Sequence, residues 1–410
     1  MDLSTASGNP FWKKLLACAP DSSETITLMR SRLQQVSPCA LMAGFTPEEM
    51  LVLNRAIGHY MEKERILRIL AVMYDALFES SPETAGGQDF EPNEDETGDS
   101  RIFLLVSLLC YAPRLRKDYE KRGWSSEMYK QALRDFKIWS DFTLENEHRI
   151  GLTFSGGYSW IHAQMLCRIL RFGRLQCNIE AHFFDDLMVF RNRLNGRLQV
   201  LMNGNMEFNA RGLYRVEGEE ALFHSSKIQE TEEGFCGTPV SPDGFASPEP
   251  VLLKKQEWRP VLLPGAPVIN LHIPADGPLL PSMCADSVQR MWDFFHTKTD
   301  LKVQAVVCES WLLDPVFPEL LPPSSNMLQF QMAGYLMPEK GPSDCFRRVF
   351  GVKGERDGIE TVPWNTSMRR TFGKYYVSGG KFRNGRIVLM PEDFPWGSNP
   401  YRPAGKKEIV

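Results

Sequence analysis

The hydrophobic period of this chain changes once, and that change limits the folds open to it. From Phe45 to Phe78, from Ile102 to Tyr119 and from Ser125 to His148, apolar residues recur every three to four positions, the spacing of helices with one buried face. At "RFGRLQCNIEAHFF", which begins at Arg171, Leu175, Cys177 and Ile179 alternate with Gln176, Asn178 and Glu180, the two-residue period of a strand with one buried face. The sequence therefore predicts an α+β protein: a mostly helical domain over residues 1–171, then a mixed β-sheet flanked by helices over residues 172–410.

In the helical half, Thr46, Pro47 and Glu48 supply a helix start, and Leu51, Ile57, Ile66, Leu67, Leu70 and Met73 share a broad face of one or two packed helices. "QDFEPNEDETGD", residues 88–99, has almost nothing to bury and reads as a loop. In the second half, Asn195-Gly196 and Asn203-Gly204 favour tight turns between antiparallel neighbours, because both residue types tolerate positive φ. "TEEGFCGTPVSPDGFASPEP", residues 231–250, is rich in Gly, Ser and Pro and reads as an exposed loop.

The next block alternates in kind: "PVINLHIP" is a strand, "ADGPLLPS" a turn-rich loop, "MCADSVQRMWDFFHT" an amphipathic helix and "LKVQAVVCESW" another strand. Two strands linked by a helix make a parallel pair with a right-handed crossover, and ligands of such sheets sit beyond the carboxyl ends of the strands. His272 and the run Cys308 to Trp311 fall at those ends. After a Pro-Pro turn, "SSNMLQFQMAGY" reads as a returning strand, and "NTSMRRTFGKYYVSGGKFRNGRIVL" as a capped helix, a Gly379-Gly380 stop and a last strand near Ile387 to Met390. Arg369, Arg370 and Lys374 on that helix fit either a phosphate site or a solvated face.

A net charge of −4 gives no broad cationic field, which argues against nucleic acid or an anionic membrane surface as the main partner. Nine cysteines without a C-x-x-C pair read as reduced thiols in a cytoplasmic protein, with no metal site and no disulfide framework. The apolar run "IFLLVSLLCYA" is far shorter than the roughly 20 residues of a membrane span and reads as a buried helix. The opening "MDLSTASGNPFWKKLL" lacks a basic leader ahead of an apolar core, so no secretion signal is expected.

Three stretches together, "ILRFGRLQCNIE", "VINLHIPADGPLLPSMCADSVQRMWDFF" and "VVCESWLLDPVFPELLPPSSNMLQFQ", resemble a bacterial family of acyltransferase-domain proteins. In that family a helical N-acyltransferase-like part precedes a C-terminal region similar to the N-acetyltransferases of the GNAT superfamily. The resemblance implies acyl-CoA or acetyl-CoA as co-substrate, no metal, and direct transfer to a small-molecule amine or a peptide acceptor. It places a phosphate cradle at Ala275 to Ser282, with N–H groups of Gly277, Leu279, Leu280 and Ser282 on the pyrophosphate, and the pantetheine amides along Asn270 to Ile273. A helix start suits phosphate because its first N–H groups have no partner within the helix. The superfamily's Gly-x-Gly or Gly-x-Ala signature is missing here, and Pro278 and Pro281 remove two donors.

His272, Glu309 and Cys308 are the candidate catalytic residues. A histidine at a strand end can take the proton of an amine, and it can equally hydrogen-bond a neighbouring strand. Glu309 is a base through water or a solvated rim charge; Cys308 is a nucleophile paired with His272 or a buried thiol. Ser310, Trp311 and Asn326 are assigned to the substrate pocket, with Trp311 either a core wall or a stacking surface. A rival reading of another class is a catalytically inactive GNAT-like binding or scaffold protein.

Overall fold

The computed structural model describes residues 9–17, 22–154, 157–398 and 400–402; the stretch read for a leader lies, up to residue 8, outside the described residues. The chain forms two compact units, one of residues 1–171 with 274–276 and one of residues 172–273 with 277–410.

The first unit is helical. Thr46 opens the helix Pro47–Glu62 with a capping box, its side chain taking the Glu49 N–H while the Glu49 carboxylate takes the Thr46 N–H. A second helix, Glu64–Asp75, follows at once, so the long apolar stretch is two helices. Leu53 and Ile57 are buried, whereas Leu51 faces solvent at 64% exposure, against the face assigned to it. The apolar run becomes the buried helix Ser100–Leu109, and Ser125 caps Ser126–Glu147. Residues 88–99 are more than a loop: Phe90 is fully buried between Trp12 and Phe103, and Asn93 caps the short helix Glu94–Thr97. One aromatic ring was enough to anchor a segment whose charge alone suggested a solvated connection.

A mixed sheet is formed by β1 (Ile169–Phe172), β2 (Leu175–His182), β3 (Pro267–His272), β4 (Val306–Ser310), β5 (Tyr335–Pro338) and β6 (Gly385–Leu389), in the order β1-β2-β3-β4-β6-β5, and strands β2 to β6 lie in the second unit. Strands β3 and β4 are parallel and joined through helix α1 (Pro281–Lys298), the crossover that the sequence implies. The hairpin Leu187–Asn192 and Leu198–Met202 turns at Gly196, whose φ of 73° lies in the left-handed region.

Two expectations fail here. Residues 231–250 are not an exposed loop: Gly234–Gly237 and Pro239–Val240 are strands, and Phe235, Val240 and Ala246 are buried. "SSNMLQFQMAGY" is not one strand but helix α2 (Asn326–Met332) followed by β5, since Leu328, Phe330 and Gln331 fall at helical spacing and are buried together. Arg369 and Arg370 bind backbone carbonyls of Val349, Pro363, Trp364 and Asn365, which favours neither the phosphate nor the purely solvated reading.

Candidate active site

Strands β3 and β4 pair at Ile269 with Val306, Asn270 with Val307 and Leu271 with Cys308. Beyond that register β3 continues against β2, with His272 opposite Gln176, while β4 continues against β6, with Glu309 opposite Arg386. The pairing of the two parallel strands ends with Leu271 and Cys308, one residue before the end of β3. Alternation puts Gln176, His272, Glu309 and Arg386 on one face of the sheet and Cys177, Leu271, Cys308 and Ile387 on the other.

His272 is half-buried, and its Nε2 lies 2.9 Å from Asn178 Oδ1. A carbonyl oxygen only accepts, so Nε2 carries the proton and the basic lone pair sits on Nδ1. Burial pushes the imidazole pKa down to about 4, with the charge of Glu309 pulling the other way. The ring is therefore neutral, the proton-accepting form, throughout the physiological range. Next to it, Asn270 presents a buried Oδ1 with no hydrogen-bond partner among the described residues.

Glu309 is exposed and accepts from Arg386 Nε at 3.1 Å. The same guanidinium reaches Asp186 at 2.9 Å, pairs with Glu339 and lies over the Phe184 ring at 4.1 Å. Three carboxyl groups face one cation, so they cannot all ionise cheaply. The strain falls on Glu339, the most buried of them: desolvation raises its pKa above the usual carboxylate range, with Arg386 opposing and the Glu309 charge adding.

Cys308 lies on the other face, with no exposed surface, and burial raises its thiol pKa far above the ordinary value. Such a thiol stays protonated and is a poor nucleophile. Ser310 Oγ accepts from the Leu312 N–H at 3.2 Å and caps the 3-10 turn Trp311–Leu313. Trp311 is half-buried, edge-on to Phe317 at 6.3 Å and packed against the core of this unit, which favours the wall over the stacking surface. Asn326 opens α2, a neighbour of the Trp311 turn.

At the head of α1, Leu280 is the N-cap residue and Pro281 the first helical residue. The N–H groups of Met283 and Cys284 both go to the Leu280 carbonyl, and those of Leu279, Leu280 and Ser282 have no partner among the described residues. The carbonyls of Gly277 and Pro278 are taken by Arg174, at 2.7 Å from Nη2 and 2.9 Å from Nε. A side chain at Gly277 would meet no protein atom within 4 Å, so this glycine opens onto free space. Ile273 follows β3 directly and is half-buried.

The pattern of the GNAT-like C-terminal domain matches residues 169–389, more than half of the chain. The chain belongs to that family. Residues 39–166 match the N-acyltransferase N-terminal domain, so both matched parts are acyltransferase domains. No curated protein matches the sequence. Among solved structures, an acyltransferase in complex with decanoyl-CoA and teicoplanin shares a TM-score of 0.54 at 17% identity, over 90% of this chain and 89% of that one. An acyltransferase mutant in complex with octanoyl-CoA gives the same values. An acyltransferase in complex with decanoyl-CoA gives 0.50 at 18% identity over the same shares of both chains. At such identity the likeness shows a common fold.

In this GNAT-like protein the register of β3 and β4 puts Asn270, His272 and Glu309 on one face of the sheet and Cys308 on the other, in the core. Sequence reasoning passed over Arg174, Asn178, Asp186, Glu339 and Arg386. The signal for Arg386 was an arginine leading directly into the apolar run Ile387 to Leu389, a place where a charge needs a buried partner.

Proposed function

We propose that this GNAT-like protein moves an acyl group from an acyl-CoA thioester to an amine by direct attack. The observation that carries the reading is the neutral His272 at the carboxyl end of β3, on one sheet face with Asn270 and Glu309, together with the unpartnered N–H groups of Leu279, Leu280 and Ser282 at the head of α1. Those N–H groups and that of Gly277 suit the donor's pyrophosphate at the positive end of α1. The side-chain Oδ1 of Asn270 suits an amide N–H of the pantetheine arm, which runs along β3 toward Ile273. The amine nitrogen adds to the thioester carbonyl, the C–S bond breaks, coenzyme A leaves as thiolate, and the amine proton passes to His272 Nδ1. Glu309, fixed by Arg386, lies where it favours the imidazolium that forms. Ser310, Trp311 and Asn326 border the acceptor side. Decanoyl-CoA, octanoyl-CoA and teicoplanin in the structurally similar acyltransferases make a medium-chain donor and a peptide-like amine the first pair to try.

Titration calorimetry with coenzyme A, acetyl-CoA and decanoyl-CoA tests the reading. Saturable binding, with Kd in the range of about 1 μM to 1 mM usual for enzyme substrates, supports it. Absence of binding by every thioester would leave the inactive binding-protein reading in its place.

A further inference from the structure

Strands β5 and β6 are antiparallel neighbours, with Pro338 opposite Gly385, and a two-residue hairpin would suffice to join them. The chain instead makes an excursion over residues 339–384 that carries the helices Cys345–Asp357 and Ser367–Val377. The excursion shares a core with the rest of the unit, in which its Phe350, Phe372 and Phe382 are buried with Val316 and Phe317.

Beside that core lies a cavity of about 540 Å³, within the ordinary size of small-molecule sites. Tyr214, Phe346, Tyr376 and Phe382 supply its aromatic walls. Tyr376 is 40% exposed and stands edge-on to Phe346 at 4.6 Å, so a planar surface is displayed rather than packed away. Its charges are Arg215, Glu217 and Lys381. Arg215 is paired with Glu207, and Glu217 is exposed. The Lys381 ammonium has no ion-pair partner among the described residues. One unpaired ammonium beside aromatic walls matches a ring that bears a single carboxylate; a phosphate dianion asks for several convergent donors.

The cavity also stands at the reacting end of the sheet. Phe382 is four residues before Arg386, so their Cα atoms are at most roughly 14 Å apart, and Arg386 holds Glu309.

We propose that this cavity binds an aromatic carboxylate portion of the acceptor, with the ring against the exposed side of Tyr376 and the carboxylate on Lys381. The inference rests on the acyltransferase reading for the word acceptor, and on the cavity alone for the ligand class.

The test uses the full chain and three probes: tyrosine, tyrosinamide and cyclohexylalanine, titrated by ligand-observed NMR, with decanoyl-CoA titrated separately. Tyrosine should bind about tenfold more tightly than tyrosinamide, a difference of 1.4 kcal/mol, and more tightly than cyclohexylalanine. Lys381→Met should erase the preference for acid over amide, and Tyr376→Ala the preference for the aromatic ring, with decanoyl-CoA affinity unchanged in both. Equal binding of acid and amide, no binding of any probe, or a preference that survives Lys381→Met would overturn the proposal. If the preference holds and no thioester binds, the cavity stands and the acyltransferase reading falls.

Discussion

The two faces of the central sheet share a backbone and differ in almost everything else. One presents Cys177, Leu271, Cys308 and Ile387, all buried, with both thiols held protonated by the lack of solvent. The other presents, one residue along each strand, Gln176, His272, Glu309 and Arg386. A one-residue offset thus separates apolar side chains and thiols from polar and charged groups. The lesson concerns Cys308 and Glu309: neighbours in sequence, they belong to different environments, and only the environment decides which can move a proton.

The largest effect that would test this division is on turnover. His272→Ala should keep the fold, as a urea unfolding curve will report, and lower turnover by about 10²- to 10⁴-fold, the usual worth of a general base. Full activity in a folded variant would remove His272 from the chemistry. Across the sheet, Leu271→Ala should do the reverse: a loss of about 2–5 kcal/mol in unfolding free energy, with turnover per folded molecule preserved. A large turnover defect there would blur the two faces.

The pH dependence sharpens the comparison further. The folded pKa of His272, about 4, lies below its unfolded value of about 6.5. Between those values the unfolded chain binds the proton more readily, so the neutral ring's contribution to stability is complete above about pH 6.5 and is lost as pH falls toward 4. The difference in unfolding free energy between wild type and His272→Gln should accordingly change with pH across that window by an amount on the order of 3 kcal/mol. A difference that is flat with pH would mean that the imidazole is solvated. The smallest effect belongs to Cys308→Ala, expected to leave turnover unchanged and to cost about 1 kcal/mol in stability; abolished turnover would instead restore a covalent route through the thiol.

Much of this arrangement was legible because it follows from period. The shift from helical spacing to alternation near residue 172, the helix starts at Thr46 and Ser125, and the strand-loop-helix-strand unit around His272 all come from local pattern. What escaped was set by tertiary contact. Gln176 and Asn178 read as the wet side of β2, yet Gln176 is 2% exposed and Asn178 holds His272, because β2 is covered on both faces at that end. Glu339 and Asp186 sit far from Arg386 in sequence, and nothing local to "LMPEK" or "FDD" points to a shared guanidinium. The helix α2 was missed because a short apolar run fits either period until its neighbours are known.

The bond between His272 and Asn178 spans 94 residues of chain, and that between Arg386 and Glu309 spans 77. During synthesis at roughly 5–20 residues per second, β2 waits on the order of 5–20 seconds before β3 exists to pair with it. Contacts of this range are also slow to form in a complete chain, since loop closure precedes any gain from pairing. The hairpin of Leu187–Asn192 with Leu198–Met202, which needs only its own turn, is free to form in that interval. The nascent protein thus carries for some seconds a half-finished sheet edge at β2, and the order in which strands leave the ribosome, rather than their final stability, governs how long that edge is open to pairing with another chain.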